Sequence, residues 1–395
     1  MNNWRENNHV LVTEAHTIGS LAVIRSLGRA GYRVIACSPN TEAIGFYSNY
    51  CDVACVQPPY DDQQAFFAWL DNLAESEKIG LIIPSEAFLL ALRPIFPKWQ
   101  SILPVPDNAD IVYPAFSKFD LFESCANAGL IEHLPPFVLV QENDAPIQSH
   151  HLQSLDEPIF IKVDDVYSRA GNGNQVIKCE NIASAVTRIA ALRNDYSKVL
   201  VQGYVSGIGV GAFLARWEDK PLAEFMHRRI HEVPHTGGAS SFRRAWRHEA
   251  IMLDARTLTS HLGWNGVGMF EYRWNPATDR FYLMEFNARF WGSLHLALFA
   301  GVDFPKLLAD AFFMHPNPPV TEYSLIRSRL TFPREVEYVF SCLKDQTLPW
   351  SRKLWAILEF AYLGLSPGVY SDLSFPNDRA LYWRAMIRSI RRFLS

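Results

Sequence analysis

Two short alternating segments constrain this chain more than any other feature. Gly266-Val-Gly-Met-Phe-Glu-Tyr-Arg-Trp274 and Phe281-Tyr-Leu-Met-Glu-Phe-Asn287 flank Asn275-Pro-Ala-Thr-Asp279, a turn signal, and so predict a β-hairpin. Alternation puts Met269, Glu271 and Arg273 on one face of the first strand, and Glu285 with Asn287 on one face of the second. In register, Glu271 approaches Glu285. Two carboxylates facing each other repel unless a cation lies between them. With the amide oxygen of Asn287 they make a hard-oxygen set suited to Mg²⁺. Arg289 follows two residues later with a planar donor fork suited to phosphate. Polar residues of an edge strand facing water are the alternative for Glu285 to Arg289 alone, and the partner strand weighs against it.

Upstream, His9 to Thr13 predicts a buried strand, Ser20 to Gly31 a helix and Tyr32 to Cys37 a second strand, a βαβ unit that implies a parallel sheet. The unit is Rossmann-like but lacks Gly-x-Gly-x-x-Gly, which argues against a nicotinamide dinucleotide. A later strand, Gly80 to Pro84, ends in Ser85-Glu86, and residues at such carboxyl ends face the ligand crevice. Glu86 reads equally well as a helix N-terminal acid favoured by the dipole. After a Pro- and Asp-rich connection, Ser117 caps a helix closed by Gly129, with Lys118 in its first turn. The dipole disfavours a cation there unless it reaches an anion. Lys162 interrupts the apolar strand Pro158 to Asp164, where a lysine snorkels or holds an anion. The loop Tyr167 to Asn174 carries Gly171 and Gly173, and the backbone N–H groups of such loops cradle phosphates. The strand Lys198 to Gln202 ends at an irregular Gly203. A further hairpin, Gly211 to Arg216 with Leu222 to Ile230, delivers His227-Arg-Arg-Ile-His231 and then Pro234 to Ser240, an anion-handling surface or a solvated basic strand end.

In this order the elements resemble the ATP-grasp superfamily, whose metal-binding end reads Glu, then Glu-x-Asn-x-Arg, as in enzymes of the biotin carboxylase and carbamoyl phosphate synthase type. The resemblance runs from about Val10 to Pro316. It implies an α/β chain with a Rossmann-like pre-ATP-grasp domain over 1–112, an α+β ATP-grasp domain over 113–320 and a mostly helical extension over 321–395. It implies ATP as cosubstrate with Mg²⁺, two ions, Mn²⁺ being an alternative, held by Glu271, Glu285 and Asn287. Lys118, Lys162, Gly171 and Gly173 would contact phosphates. Gln202, Gly203 and Val205 would contact adenine. Arg289 and Arg229, the latter with the Gly237-Gly238 loop, would hold the transferring phosphoryl group or the substrate carboxylate. The loop Thr13 to Gly19 and Ser85-Glu86 would line the acceptor crevice. The activity implied is a carboxylate–amine ligase working through an acyl phosphate. The alternatives are a bicarbonate-using carboxylase or carbamoyl-phosphate-type enzyme, and a nucleotide-binding protein without catalysis.

Composition narrows the rest. At 395 residues, 49% hydrophobic and with net charge −4, the chain has room for two or three domains and offers no electrostatic case for nucleic acid. Six cysteines without metal-like spacing predict free thiols in a reducing cytoplasm. The polar N-terminus has no signal core, and no run of about eighteen apolar residues predicts a membrane span. Residues 321–395 carry no motif. Leu354 to Leu363 predicts an apolar helix packed on the core, with Trp- and Arg-rich peripheral membrane contact as the alternative. Small-molecule carboxylate and amine partners follow from the resemblance, and a homodimer is left open.

Overall fold

A computed structural model describes residues 4–169, 173–235 and 238–394. The first sheet is parallel, with β1 (His9–Val12), β2 (Arg33–Ser38), β3 (Val53–Val56) and β4 (Ile79–Ile83) in the order β3-β2-β1-β4. Its strands are apolar runs such as Val10, Leu11 and Val12, buried as expected of parallel strands covered on both faces. The connecting helix Ile18–Ala30 starts at Thr17, whose side chain accepts from Ser20 N, and stops at Gly31 with φ 93°. Thr13 ties the carboxyl ends of β1 and β4 together: its Oγ1 accepts from Ser85 N at 2.7 Å. The turn after β1 and the helix beginning at Glu86 therefore share one crevice.

The second sheet is antiparallel, with β5 (Phe137–Gln141), β6 (Ile159–Val163), β7 (Gln175–Cys179) and β8 (Lys198–Gln202) in the order β5-β8-β6-β7. Ile159, Ile161 and Val163 of β6 pack under the helix Ile182–Leu192. Alternation then turns Phe160 and Lys162 to the opposite face, beside Gln202 and Leu200 of β8.

The third sheet has seven strands: β9 (Ile208–Trp217), β10 (Lys220–Val233), β11 (Ala239–Ala245), β12 (Gly266–Trp274), β13 (Phe281–Asn287), β14 (Arg327–Arg329) and β15 (Val369–Ser371), ordered β13-β12-β9-β10-β11-β14-β15. Gly266 opens β12 at φ 114°, with Pro104 O only 2.5 Å from where a Cβ would stand, so glycine alone fits. The helices Leu294–Ala300 and Phe304–Phe312 share one apolar core with helix Ile18–Ala30 and join the first sheet to the third.

The tail is mostly helical (Val336–Lys344, Trp350–Leu365, Ala380–Leu394), and its two short strands, β14 and β15, extend the third sheet across the expected boundary at 320. Arg25, fully buried in the first helix, binds the tail at Asp372 O (2.7 Å) and Asp378 Oδ2 (2.7 Å). Helix Trp350–Leu365 buries only Ala356 and Leu363 and leaves most of its apolar surface exposed, so the expectation of a helix packed on the core is met by one narrow face. No helix among the described residues is long and apolar enough to cross a membrane.

Candidate active site

The hairpin has the expected register: Glu271 pairs with Glu285 and Met269 with Asn287. The ladder skips Met284, whose carbonyl accepts from Lys162 Nζ at 3.4 Å. Glu285 accepts from Asn287 Nδ2 at 2.9 Å and lies 3.3 Å from Lys118 Nζ. Arg289 donates to Asn287 Oδ1 at 3.3 Å and to Glu86 Oε2 at 3.4 Å. Glu271 is ion-paired with Arg229, which also lies 3.1 Å from Glu232 and donates to Gly238 O at 3.0 Å.

Arg229 belongs to β10 and Glu271 to β12, with β9 between them. Gly209 of β9 makes this reach possible. A Cβ on Gly209 would stand 2.8 Å from Arg229 Cδ and 2.7 Å from Glu232 Oε1. The strand is therefore bare at Gly209, where the Arg229 side chain crosses it.

Lys118 is the first residue of helix Lys118–Asn127, and Asp164 explains why a cation is tolerated there. Asp164 Oδ2 accepts from the backbone N of Lys118 at 2.6 Å, and its Oδ1 lies 3.5 Å from Lys118 Nζ. Burial would lower the Lys118 pKa, but Glu285, Asp164 and Glu86 outweigh it and hold the ammonium charged. Burial pushes Lys162 down to about 8, against the pull of Glu285. Burial would likewise raise Glu285, yet Lys118, Asn287 and Lys162 bring it down to about 2. Burial raises the Glu271 carboxyl, with Glu285 adding to the rise and Arg229 opposing it. Two facing carboxylates thus sit in opposite environments, one held ionised by lysines and one capped by an arginine.

These groups line a cleft of about 1080 Å³ between the second and third sheets. Gln202 and Val205 line it, and Gln202 Oε1, on a side chain 1% exposed, has no hydrogen-bond partner among the described residues. Backbone groups of two of the glycines named above are engaged within the chain. The Gly203 amide is not free: it donates to Pro136 O at 3.0 Å, and a Cβ there would meet Asp156 N at 2.9 Å. The Gly173 amide donates to Asp165 Oδ1 at 3.1 Å and its carbonyl accepts from Tyr196, so neither group points a free dipole at the cleft. Gly171 and Gly237 lie outside the described residues.

Several groups of the site carried no prior role. Arg273, on the same face as Glu271, lies 3.6 Å from Glu232. Lys178 lines the cleft opposite Phe160. His227 lines it too, fully buried, with Nε2 3.0 Å from Ser293 Oγ and no hydrogen-bond partner for Nδ1 among the described residues; burial keeps this imidazole neutral. Period-2 spacing puts Arg273 on the face of Glu271, and the same spacing from Lys162 is a signal that would have found Asp164. Nothing local pointed to Ser293.

A second cavity of about 790 Å³ adjoins the first. Arg289, Trp291 and Gly292 line both. Its other walls come from the first sheet: Glu14, Asp61 and Ser85-Glu86, with Asp165 and Asn174 from the second. Glu86 is both a helix N-terminal acid and a wall of this cavity, so the two readings of it coincide. Asn174 Nδ2 donates to Glu86 Oε1 at 3.1 Å.

Residues 222–329 match the model of a family described as ATP-grasp in the biosynthetic pathway with Ter operon. No characterised protein sequence matches the chain. Among solved structures, the ADP complex of N5-carboxyaminoimidazole synthetase from Staphylococcus aureus is similar at TM-score 0.61 and 16% identity, over 83% of this chain and 82% of that one. Biotin carboxylase from Campylobacter jejuni, in a complex with β,γ-ATP, aligns at TM-score 0.61 and 13% identity over 81% and 74%. L-amino acid ligase from Bacillus licheniformis aligns at 0.57 and 13% over 78% and 74%. The chain thus shares its fold with these enzymes, and residues 222–329 resemble an ATP-grasp family.

Proposed function

We propose that the chain is an ATP-dependent ligase that activates a carboxylate as an acyl phosphate and joins it to an amine, releasing ADP and phosphate. One observation carries the reading: Glu271 faces Glu285 in register, with Asn287 beside them, on the wall of a cleft that also presents Lys118, Lys162 and Arg289. This oxygen set fits Mg²⁺. Bound there with ATP, the ion would neutralise charge on the phosphates being separated. The chain's own groups do the rest. Lys118 and Lys162 offer cations to the phosphates from two different elements. The unpaired oxygen of Gln202 and the wall at Val205 suit an adenine edge. Arg289 stands where the two cavities meet, so its fork can grip the group passed between them. No side-chain nucleophile is required, because positioning and charge stabilisation carry phosphoryl transfer.

The charge of the two cavities supports an amine acceptor. The first is rich in lysine and arginine and suits a polyanion. The second is walled by Glu14, Asp61, Glu86 and Asp165, with Arg289 its one arginine among the described residues, and suits an ammonium group. Burial raises the Glu14 carboxyl, which makes it a stronger base for the proton the ammonium must lose before it attacks.

The test is phosphate release from Mg·ATP with a panel of carboxylates and amines. A ligase needs one of each. Release that needs only bicarbonate would replace this reading with a carboxylase. Tight ADP binding with no turnover for any pair would leave a nucleotide-binding protein.

Lys162 gives the nucleotide site a pH signature. Its ammonium is half neutralised near pH 8 in the free chain, and a bound polyanion favours the charged form. ADP affinity should therefore be flat below about pH 8 and fall about tenfold per pH unit just above it. Calorimetry in divalent-free buffer checks this. Lys162→Met should bind weakly and lose the slope; an unchanged slope in that variant would assign the titration elsewhere.

A further inference from the structure

We propose that the C-terminal helices Trp350–Leu365 and Ala380–Leu394 form a docking face for an anionic lipid surface. At about 100° per residue, Trp350, Leu354, Ile357, Leu358, Ala361 and Leu365 fall on one stripe of the first helix. That stripe lies opposite Ala356 and Leu363, its two buried residues. Trp350 is 81% exposed and Leu365 88%. The stripe carries no charge. A helix apolar on both faces is ordinarily enclosed, and this one covers only one of them. The second helix repeats the pattern: Trp383, Ile387 and Ile390 are exposed at i, i+4 and i+7, each followed by or beside an arginine, Arg384, Arg388 and Arg391.

Charge selects the occupant. From Thr331 onward the chain has nine basic and six acidic side chains, although the whole carries −4. Each of those acids has a basic neighbour: Glu337 pairs with Arg334, Asp372 with Arg243 and Asp378 with Arg25, while Glu335 and Glu359 contact His231 and Asp345 contacts His235. Arg384 and Arg388 reach Glu42 of the first domain. Lys344, Arg352, Arg379 and Arg391 are exposed and have no ion pair among the described residues. The surplus charge of this region is thus positive: Arg352 shares its helix with the exposed Trp350, Trp355 and Tyr362, and Arg391 shares the second helix with Trp383, aromatic groups that suit a headgroup boundary. A second copy of the chain would bring the same unpaired cations against these, which disfavours self-association through this face.

The test is sedimentation of the full chain with phosphatidylcholine vesicles, with and without phosphatidylglycerol. Binding to the anionic vesicles is expected, with release by salt. Leu354→Asp/Leu358→Asp should bind at least tenfold more weakly, as should Arg379→Glu/Arg391→Glu, which leaves the apolar stripe intact. All four side chains are exposed, so both variants should melt like the parent. No binding to anionic vesicles would overturn the proposal, as would equal binding to neutral ones. A dimer that the leucine variant dissociates, with no vesicle binding by the parent, would replace it with self-association.

Discussion

Glu285→Gln should abolish ATP-dependent phosphate release while the chain stays folded at room temperature. Glu285 is the point where the site converges: Lys118 and Asn287 contact it, Lys162 lies close enough to pull on it, and Glu271 faces it across the ladder. The amide has a similar shape but no charge. It lacks the negative charge that draws a divalent cation between the two facing side chains, and it leaves Lys118 with Asp164 as its one ion-pair partner among the described residues. Loss of a group that stabilises developing charge costs about 10²–10³-fold in turnover, and a metal ligand should be at the upper end or beyond it. Part of the change will be in stability, and its sign is fixed. The folded carboxyl titrates near 2 against an ordinary 4.5. A depressed carboxyl stabilises above the unfolded value and loses that contribution as pH falls from about 4.5 toward 2. At neutral pH the variant should therefore lose at most about 3 kcal/mol, at 1.36 kcal/mol per unit. Below pH 2 parent and variant should converge. Phosphate release and denaturant melts on the same preparation separate the two effects. Near-parental turnover at saturating Mg²⁺ would remove Glu285 from the metal site.

The site was legible where chemistry and local periodicity coincide. Glu271 opposite Glu285 follows from a turn signal between two alternating strands, and the structure has that register. Lys162 was legible because an apolar strand has one inward cation, and Lys118 because a helix start has the wrong charge for its dipole. Contacts that depend on strand order were not. Arg229 reaches Glu271 across β9, which lies between β10 and β12 and presents Gly209 there. The engagement of the Gly173 and Gly203 amides was not legible for a related reason. Asp165 takes one N–H and Pro136 the other, and a glycine run says nothing about which neighbour will claim its backbone. The tail was least legible. Its buried acids pair with Arg25 and Arg243, far away in the chain, so residues that looked motifless are the ones that tie the domains together.

That tie carries the largest stability effect. Arg25→Ala should destabilise the chain by about 3–5 kcal/mol, the range for removing one partner of a buried ion pair. Arg25 is fully buried and spreads its donors over Asp378 Oδ2 (2.7 Å), Asp372 O (2.7 Å) and Leu373 O (3.2 Å), with His295 Nε2 at 2.9 Å. Removing it leaves the Asp378 carboxylate, 1% exposed, with only Ser48 Oγ (2.8 Å) and Asn49 N (2.9 Å) as donors among the described residues, and strands two backbone carbonyls. The melting temperature should fall by roughly 5–10 °C, since a chain this long loses only a few degrees per kcal/mol. A double variant distinguishes a stranded charge from lost packing. Arg25→Met/Asp378→Asn fills much of the space, keeps an acceptor for Ser48 and removes both charges, so it should recover more than half of the loss. The effect should also reach the second cavity, because Glu14 and Glu86 come from the first sheet while Arg289 comes from the third, and the Arg25 contacts help to hold those bodies in register. Hydrogen exchange should then rise in the turn after β1 as well as in residues 372–378. An Arg25→Ala chain that melts within about 1 °C of the parent would mean that the tail is held by its apolar contacts at Leu373 and Phe375, and that the buried pair sets geometry without adding stability.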